Sequence, residues 1–252
     1  MARDEAPPFA RGETWYGVGS SGTVPVSATD YNLGALGIGG INIEGKEYVF
    51  EPNSPDIYQG GYSNTSQDPN GRPIRVKVVR NTSGVNLLPG RLVKFDESDV
   101  SDVDYSPGAA ASTRKLETGV YGYCTQVADH PAGIVDEFLP AGGVVANDLF
   151  YIVTEGPTLF TNVTGTPSAV APGSVLVPAN TSNGTTLTDS NGGRVDLQAN
   201  YINATNVTNT TTGLVTLCSA IQNRVGKSEV TLASNTTNAS ALFAGVIHRA
   251  YR

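Results

Sequence analysis

Apolar and polar residues alternate with period two through Ile74-Arg-Val-Lys-Val-Val79, the mark of a strand with one buried face. Leu87-Leu-Pro-Gly90 then reads as a turn, because proline presets φ and glycine accepts a reversed backbone. Arg91-Leu-Val-Lys-Phe95 resumes as a strand, and residues 119–128 and 133–139 read as two more. Leu149-Phe-Tyr-Ile-Val153 and Thr158-Leu-Phe160 read as strands flanking a turn at Glu155-Gly-Pro157. In the last third, residues 174–177, 194–197, 214–221, 229–232 and 242–248 carry short apolar runs of strand type. No stretch holds a helical period over three turns. Many short strands punctuated by Gly, Pro and Asn predict an all-β fold, a barrel or sandwich.

The first 70 residues follow a different pattern. They are rich in Gly, Pro, Tyr and Asn, and only Lys46-Glu-Tyr-Val-Phe50 reads as a strand. Such a segment buries too little to fold alone. Its aromatic residues nevertheless exceed what a free linker would carry. The chain therefore divides into an extended N-terminal arm (1–70), a β-barrel-like domain (71–160) and a second β-rich region (161–252), either packed with the first or separate. Trp15, Tyr16 and Tyr31 are the arm's candidate partner-binding residues, since buried aromatic rings commonly anchor interfaces.

Composition narrows the function. Of 252 residues only 15% are charged, against roughly 25% in an average soluble protein. That balance disfavours long solvated helices. The net charge is −7, and the one basic run, Arg72, Arg75, Lys77 and Arg80, reads as the outward residues of an ordinary strand. Binding to nucleic acid, which needs clustered positive charge, is disfavoured. The N-terminus lacks the apolar core of a signal peptide, and no apolar stretch has the length to span a bilayer. Synthesis in the cytoplasm without membrane insertion is the expectation.

Candidate chemistry is sparse. Cys124 and Cys218 each sit in an apolar, strand-like run and read as small buried hydrophobes, with their pairing left open. His130 lies in a turn and His248 near a strand end; neither belongs to a nucleophile-elbow or triad pattern. Asp96, Glu97, Asp99, Asp102 and Asp104 form an acidic loop without the glycine and terminal glutamate of an EF-hand, so a solvated loop is expected over a divalent-ion site. The glycine-rich stretch 34–45 lacks the Lys-Ser/Thr of a phosphate cradle. Asn-x-Ser/Thr triplets, from Asn64 to Asn238, reflect a composition heavy in Asn and Thr. No catalytic residue, metal ligand or cofactor is assigned.

The stretch from Pro73 to Pro157 resembles the β-rich decoration (cement) proteins of tailed-bacteriophage capsids. The resemblance is carried by Val85-Asn-Leu-Leu-Pro-Gly-Arg-Leu-Val-Lys-Phe95, Gly119-Val-Tyr-Gly-Tyr-Cys-Thr-Gln-Val-Ala128, Ala132-Gly-Ile-Val135 and Ala141-Gly-Gly-Val-Val-Ala-Asn-Asp-Leu-Phe-Tyr-Ile-Val153. These supply a Pro-Gly turn into a strand, a Gly-Val strand, and a turn into a further apolar strand; Asn147-Asp148 stands where Gly-Asp is usual. The resemblance implies a structural virion protein with no enzymatic site, seated on the outer capsid surface as an oligomer, often a trimer. Its implied partners are the major capsid protein and further copies of itself. Two other readings compete. One is a tail, fibre or head-spike subunit, which a long coiled coil or strict repeat would favour. The other is a carbohydrate-binding or carbohydrate-active β protein, which sugar binding or hydrolysis would reveal.

Overall fold

The computed structural model describes residues 7, 11–14, 45–50, 73–95, 119–146, 148–161, 170–180, 192–202, 211–229 and 242–248. They contain ten strands and one α-helix: β1 (Glu47–Phe50), β2 (Ile74–Asn81), β3 (Leu92–Phe95), β4 (Gly119–Tyr123), β5 (Gly133–Val135), β6 (Leu149–Thr161), β7 (Val175–Pro178), β8 (Val195–Leu197), α1 (Thr211–Gln222), β9 (Gly226–Ser228) and β10 (Leu242–Ile247). The fold is all-β in class, with its strands linked in a single pairing order.

The pairing of β2, β4, β3, β5 and β6 closes on itself. β2 runs parallel to β4 at Arg80↔Gly119 and antiparallel to β6 over six residue pairs, while β4, β3, β5 and β6 pair antiparallel in turn. Every strand of this ring contributes to one apolar cluster, with Val79, Val93, Val120, Val135 and Phe150 among its members. Alternate residues on the same strands, Val76, Val78, Leu149, Tyr151 and Val153, join a second cluster with Leu176, Val195 and Ile247. Period-two side-chain direction thus feeds two cores from single strands. The outer core lies between the ring and a layer of β10, β9, β7 and β8, while β1 covers the edge of β2. Tyr48 and Phe50 of β1 set their rings edge-on to Tyr151, centroids 6.5 and 5.5 Å away.

Three expectations need correction. The turn expected at Glu155-Gly-Pro157 is absent, because residues 149–161 form one thirteen-residue strand. Its first half pairs with β2 and its second half with β10. Gly156, at φ +113, and a register shift opposite Arg75 and Val76 let this strand bend between the two layers without breaking. The second correction concerns β2. Arg75 is outward and meets Glu155 at 3.2 Å, but Lys77 and Arg80 are each only 8% exposed. With apolar layers on both faces of β2, Lys77 covers the Phe95 ring instead, its Nζ 5.2 Å from the ring centre.

Third, residues 214–221 are not a strand but most of α1. Within α1 Ala220 is buried, whereas Leu214, Val215 and Ile221 are exposed, so the apolar periodicity does not mark the side facing the core. Two side-chain bonds hold its C-terminal end: Gln198 Nε2 donates to the Ala220 carbonyl at 2.7 Å, and Asn223, the residue after α1, donates from Nδ2 to the Val127 carbonyl at 2.9 Å. Of the strand expected at 229–232 only Glu229 is described, in a bend just after β9, and 230–232 lie outside the described residues. Each remaining strand reading overlaps an observed strand, although the strands expected at 119–128 and 133–139 end at Tyr123 and Val135, where turns replace their second halves.

Candidate functional site

The most heavily built polar site joins the start of the chain to the turn after β5. Asp136 ends β5 and organises that turn: its backbone N–H donates to the Tyr151 carbonyl, and its carboxylate Oδ1 accepts from the Phe138 N–H. The same carboxylate accepts Arg11 Nη2 at 2.9 Å and the Gly12 N–H at 2.7 Å. Glu137 Oε2 accepts Arg11 Nη2 at 2.6 Å and the Thr158 hydroxyl at 2.9 Å. Arg11 is 2% exposed, and its guanidinium carbon lies 4.6 Å from the centre of the Phe138 ring. Nε and Nη1 make no hydrogen bond, so the ring is the neighbour that compensates them in part.

Burial opposes charge on Arg11, but the two carboxylates outweigh it and raise its pKa, so the guanidinium stays charged. Burial pushes the Glu137 carboxyl up, aided by the negative charge of Asp136 and resisted by Arg11. A lone cation between two acids is held here by geometry rather than by solvent.

Beside this latch lies a cavity of about 420 Å³ lined by Gly12, Glu13 and Thr14 on one side and Pro140, Gly143, Val145 and Asp148 on the other. Burial raises the Asp148 carboxyl to about 6, against the opposing effects of a hydrogen bond from Thr14 and the charge of Arg80. Its Oδ1 has no hydrogen-bond partner.

A second polar anchor stabilises the turn after β4. Asp129 Oδ2 accepts from the backbone N–H groups of Thr125 and Gln126, and Oδ1 accepts from Lys94 Nζ at 2.8 Å. Burial works against ionisation of Asp129, yet these donors lower its pKa overall. Arg91 ties the ring to the segment before β8, donating from Nη1 to the Gly192 carbonyl at 2.6 Å.

The residues singled out in the sequence fall elsewhere. Trp15, Tyr16 and Tyr31 lie outside the described residues, as do the acidic loop from Asp96 to Asp104 and residues 34–44 of the glycine-rich stretch. His130 and His248 are exposed. Cys124 is buried as expected; Cys218, expected to be buried, is exposed because its segment is helical and turns it outward. Neither cysteine is in a disulfide. Among the described residues no group of three or more His, Cys, Asp or Glu is placed to hold a metal, and no helix is long and apolar enough to cross a membrane. Sequence reasoning missed Arg11, Asp136 and Glu137. Their pairing spans 125 and 126 positions, so no local spacing marks it.

Comparison with family models, with curated proteins and with solved structures finds no match for this chain.

Proposed function

We propose that this chain is a structural virion protein that binds the outer surface of a tailed-phage capsid as an oligomer, a homotrimer, and braces the head lattice. The observation that carries the reading is where the resembling segments fall. Residues 85–95, 119–128, 132–135 and 141–153 supply β3, β4, β5 and the start of β6, four of the five strands of the closed ring, which lie side by side in the order β4-β3-β5-β6. The Leu87↔Val144 bridge also ties the Pro-Gly turn to the last of these segments. A rigid, mutually paired body suits a brace, and repeated sites on a lattice convert modest contacts into avidity.

In this reading the major capsid protein is the partner, no cofactor takes part, and Trp15, Tyr16 and Tyr31 supply the lattice contacts. The test is co-expression with the major capsid protein encoded in the same genome, followed by particle purification and measurement of occupancy. Stoichiometric, saturable occupancy is expected, with a sharp fall when Trp15, Tyr16 and Tyr31 are all changed to alanine. Absence of the chain from purified particles at saturating input would overturn the reading.

A further inference from the structure

Residues 11–14 form a strap that runs from the turn after β5 to Asp148, just before β6. At one end Arg11 is held by Asp136 and Glu137, and the Gly12 N–H donates to Asp136 Oδ2 at 2.7 Å. At the other end the Thr14 side chain hydrogen-bonds the carboxyl of Asp148, a residue only 1% exposed. Among the described residues four buried side-chain atoms have no hydrogen-bond partner, and three of them belong to the two ends of this strap: Nε and Nη1 of Arg11, and Oδ1 of Asp148. A buried polar atom left unpaired carries its full desolvation cost. Lifting the strap would let water reach all three at once, so its seated state is finely balanced.

The proton on Asp148 tips that balance. Among the described residues around its carboxyl, Arg80 of β2 favours the ionised form, Glu13 of the strap lines the same cavity, and residues 140–146 carry no charged side chain. An ionised carboxylate has two acceptor oxygens to satisfy, and here Oδ1 has no donor. A protonated carboxyl bears no charge, so the same unpaired oxygen costs less. We infer that residues 11–14 are a pH-gated strap, seated while Asp148 is protonated and lifting away from it once it ionises. Burial raises this carboxyl to about 6 from its ordinary 3.8. Between those values the seated strap holds a proton that the lifted strap gives up, so seating weakens as pH rises through that window and stays weaker above it. At the other end burial pushes Glu137 up as well, which acts in the same direction. The switch lies beyond the capsid reading and does not depend on it.

The test uses the full chain and follows single backbone amides by hydrogen exchange, read as protection relative to the unfolded rate at each pH. The Gly12 amide reports the strap. The Val135 amide, which donates to the Arg91 carbonyl, reports the ring. Gly12 should be less protected than Val135 throughout, and its protection should fall about tenfold between about pH 4.5 and 7. Asp148→Asn keeps the shape of the side chain without its charge and should remove most of that fall. Thr14→Val removes a donor to Asp148 and should move the fall to higher pH. Equal protection at Gly12 and Val135 overturns the inference, because the strap then opens only with the whole body. So does wild-type protection at Gly12 that stays level over this range, or a fall that Asp148→Asn leaves at full size. A fall that Thr14→Val moves to lower pH overturns it independently, should the asparagine variant fail to fold.

Discussion

Single residues whose charge is enclosed give the most direct tests. Arg11 lies between Asp136 and Glu137 with side chains 0–5% exposed across the cluster. Replacing it with alanine leaves two buried carboxylates without their cation, at a cost of roughly 3–5 kcal/mol. Guanidinium denaturation should show that loss as a lower midpoint with an unchanged slope; a loss below about 1 kcal/mol would mean the cluster is solvated. Asp148 makes a prediction in pH. Its folded carboxyl titrates at about 6 against an ordinary 3.8, so between those values the folded state keeps a proton that the unfolded chain releases. Stability must therefore fall as pH rises through that window and stay lower above it. The displacement corresponds to roughly 3 kcal/mol at most, and solvent in the adjoining cavity reduces this to about 1–2 kcal/mol. Asp148→Asn should flatten the slope between pH 4 and 6 and melt above the wild type at pH 8. Identical pH profiles for the two proteins would show that Asp148 is not enclosed.

β6 and α1 show how far periodicity carries at the scale of elements. The alternation in residues 74–79 and the unbroken apolar run at 149–153 located two ring strands, and the unbroken run fits alternate side chains that enter two different cores. The alternation did not show that both faces of β2 are buried, since a lysine over an aromatic ring looks in sequence like a lysine in water. The Gly-Pro pair at 156–157 signals a turn by local chemistry, yet pairing with β10 on one side keeps it in a strand. α1 was illegible for a related reason: its apolar residues face outward, so its pattern says nothing about the core of its own chain. The latch residues carried no signal at all, because ion pairing across the chain has no spacing rule. Gly156 tests the bent strand. A Cβ there would lie 2.7 Å from the Pro73 carbonyl oxygen, at a φ that side chains rarely adopt. Gly156→Ala should cost roughly 1–3 kcal/mol beyond any general effect of the substitution. Gly173→Ala is the control, with a positive φ but nothing within 4 Å of the added carbon, and should cost less. Equal losses in thermal melts would remove close packing as the reason for the glycine.

At the scale of the whole molecule, the N-terminal region is two things in one stretch of sequence. Arg11 and β1 belong to the packed body, through the Asp136–Glu137 latch and the pairing of β1 along residues 74–77. Trp15, Tyr16 and Tyr31 lie between them in sequence, outside the described residues. Removing residues 1–70 is therefore a stability experiment before it is a binding experiment. It strips Tyr48 and Phe50 from the outer core, at roughly 1.5–3 kcal/mol each, and leaves Asp136 and Glu137 buried without Arg11, at roughly 3–5 kcal/mol. Together these approach or exceed the roughly 5–15 kcal/mol that holds a typical domain. The cut also bares the edge of β2, a template for strand addition. The truncated chain should melt far below the full chain or aggregate on purification. The triple alanine variant at Trp15, Tyr16 and Tyr31 keeps the latch and β1, so its melting temperature should stay near wild type while capsid occupancy falls. A truncated chain that melts like the full one would show that the latch and β1 contribute little to the body. A triple variant that unfolds early would make those three rings part of the core rather than contacts for the lattice.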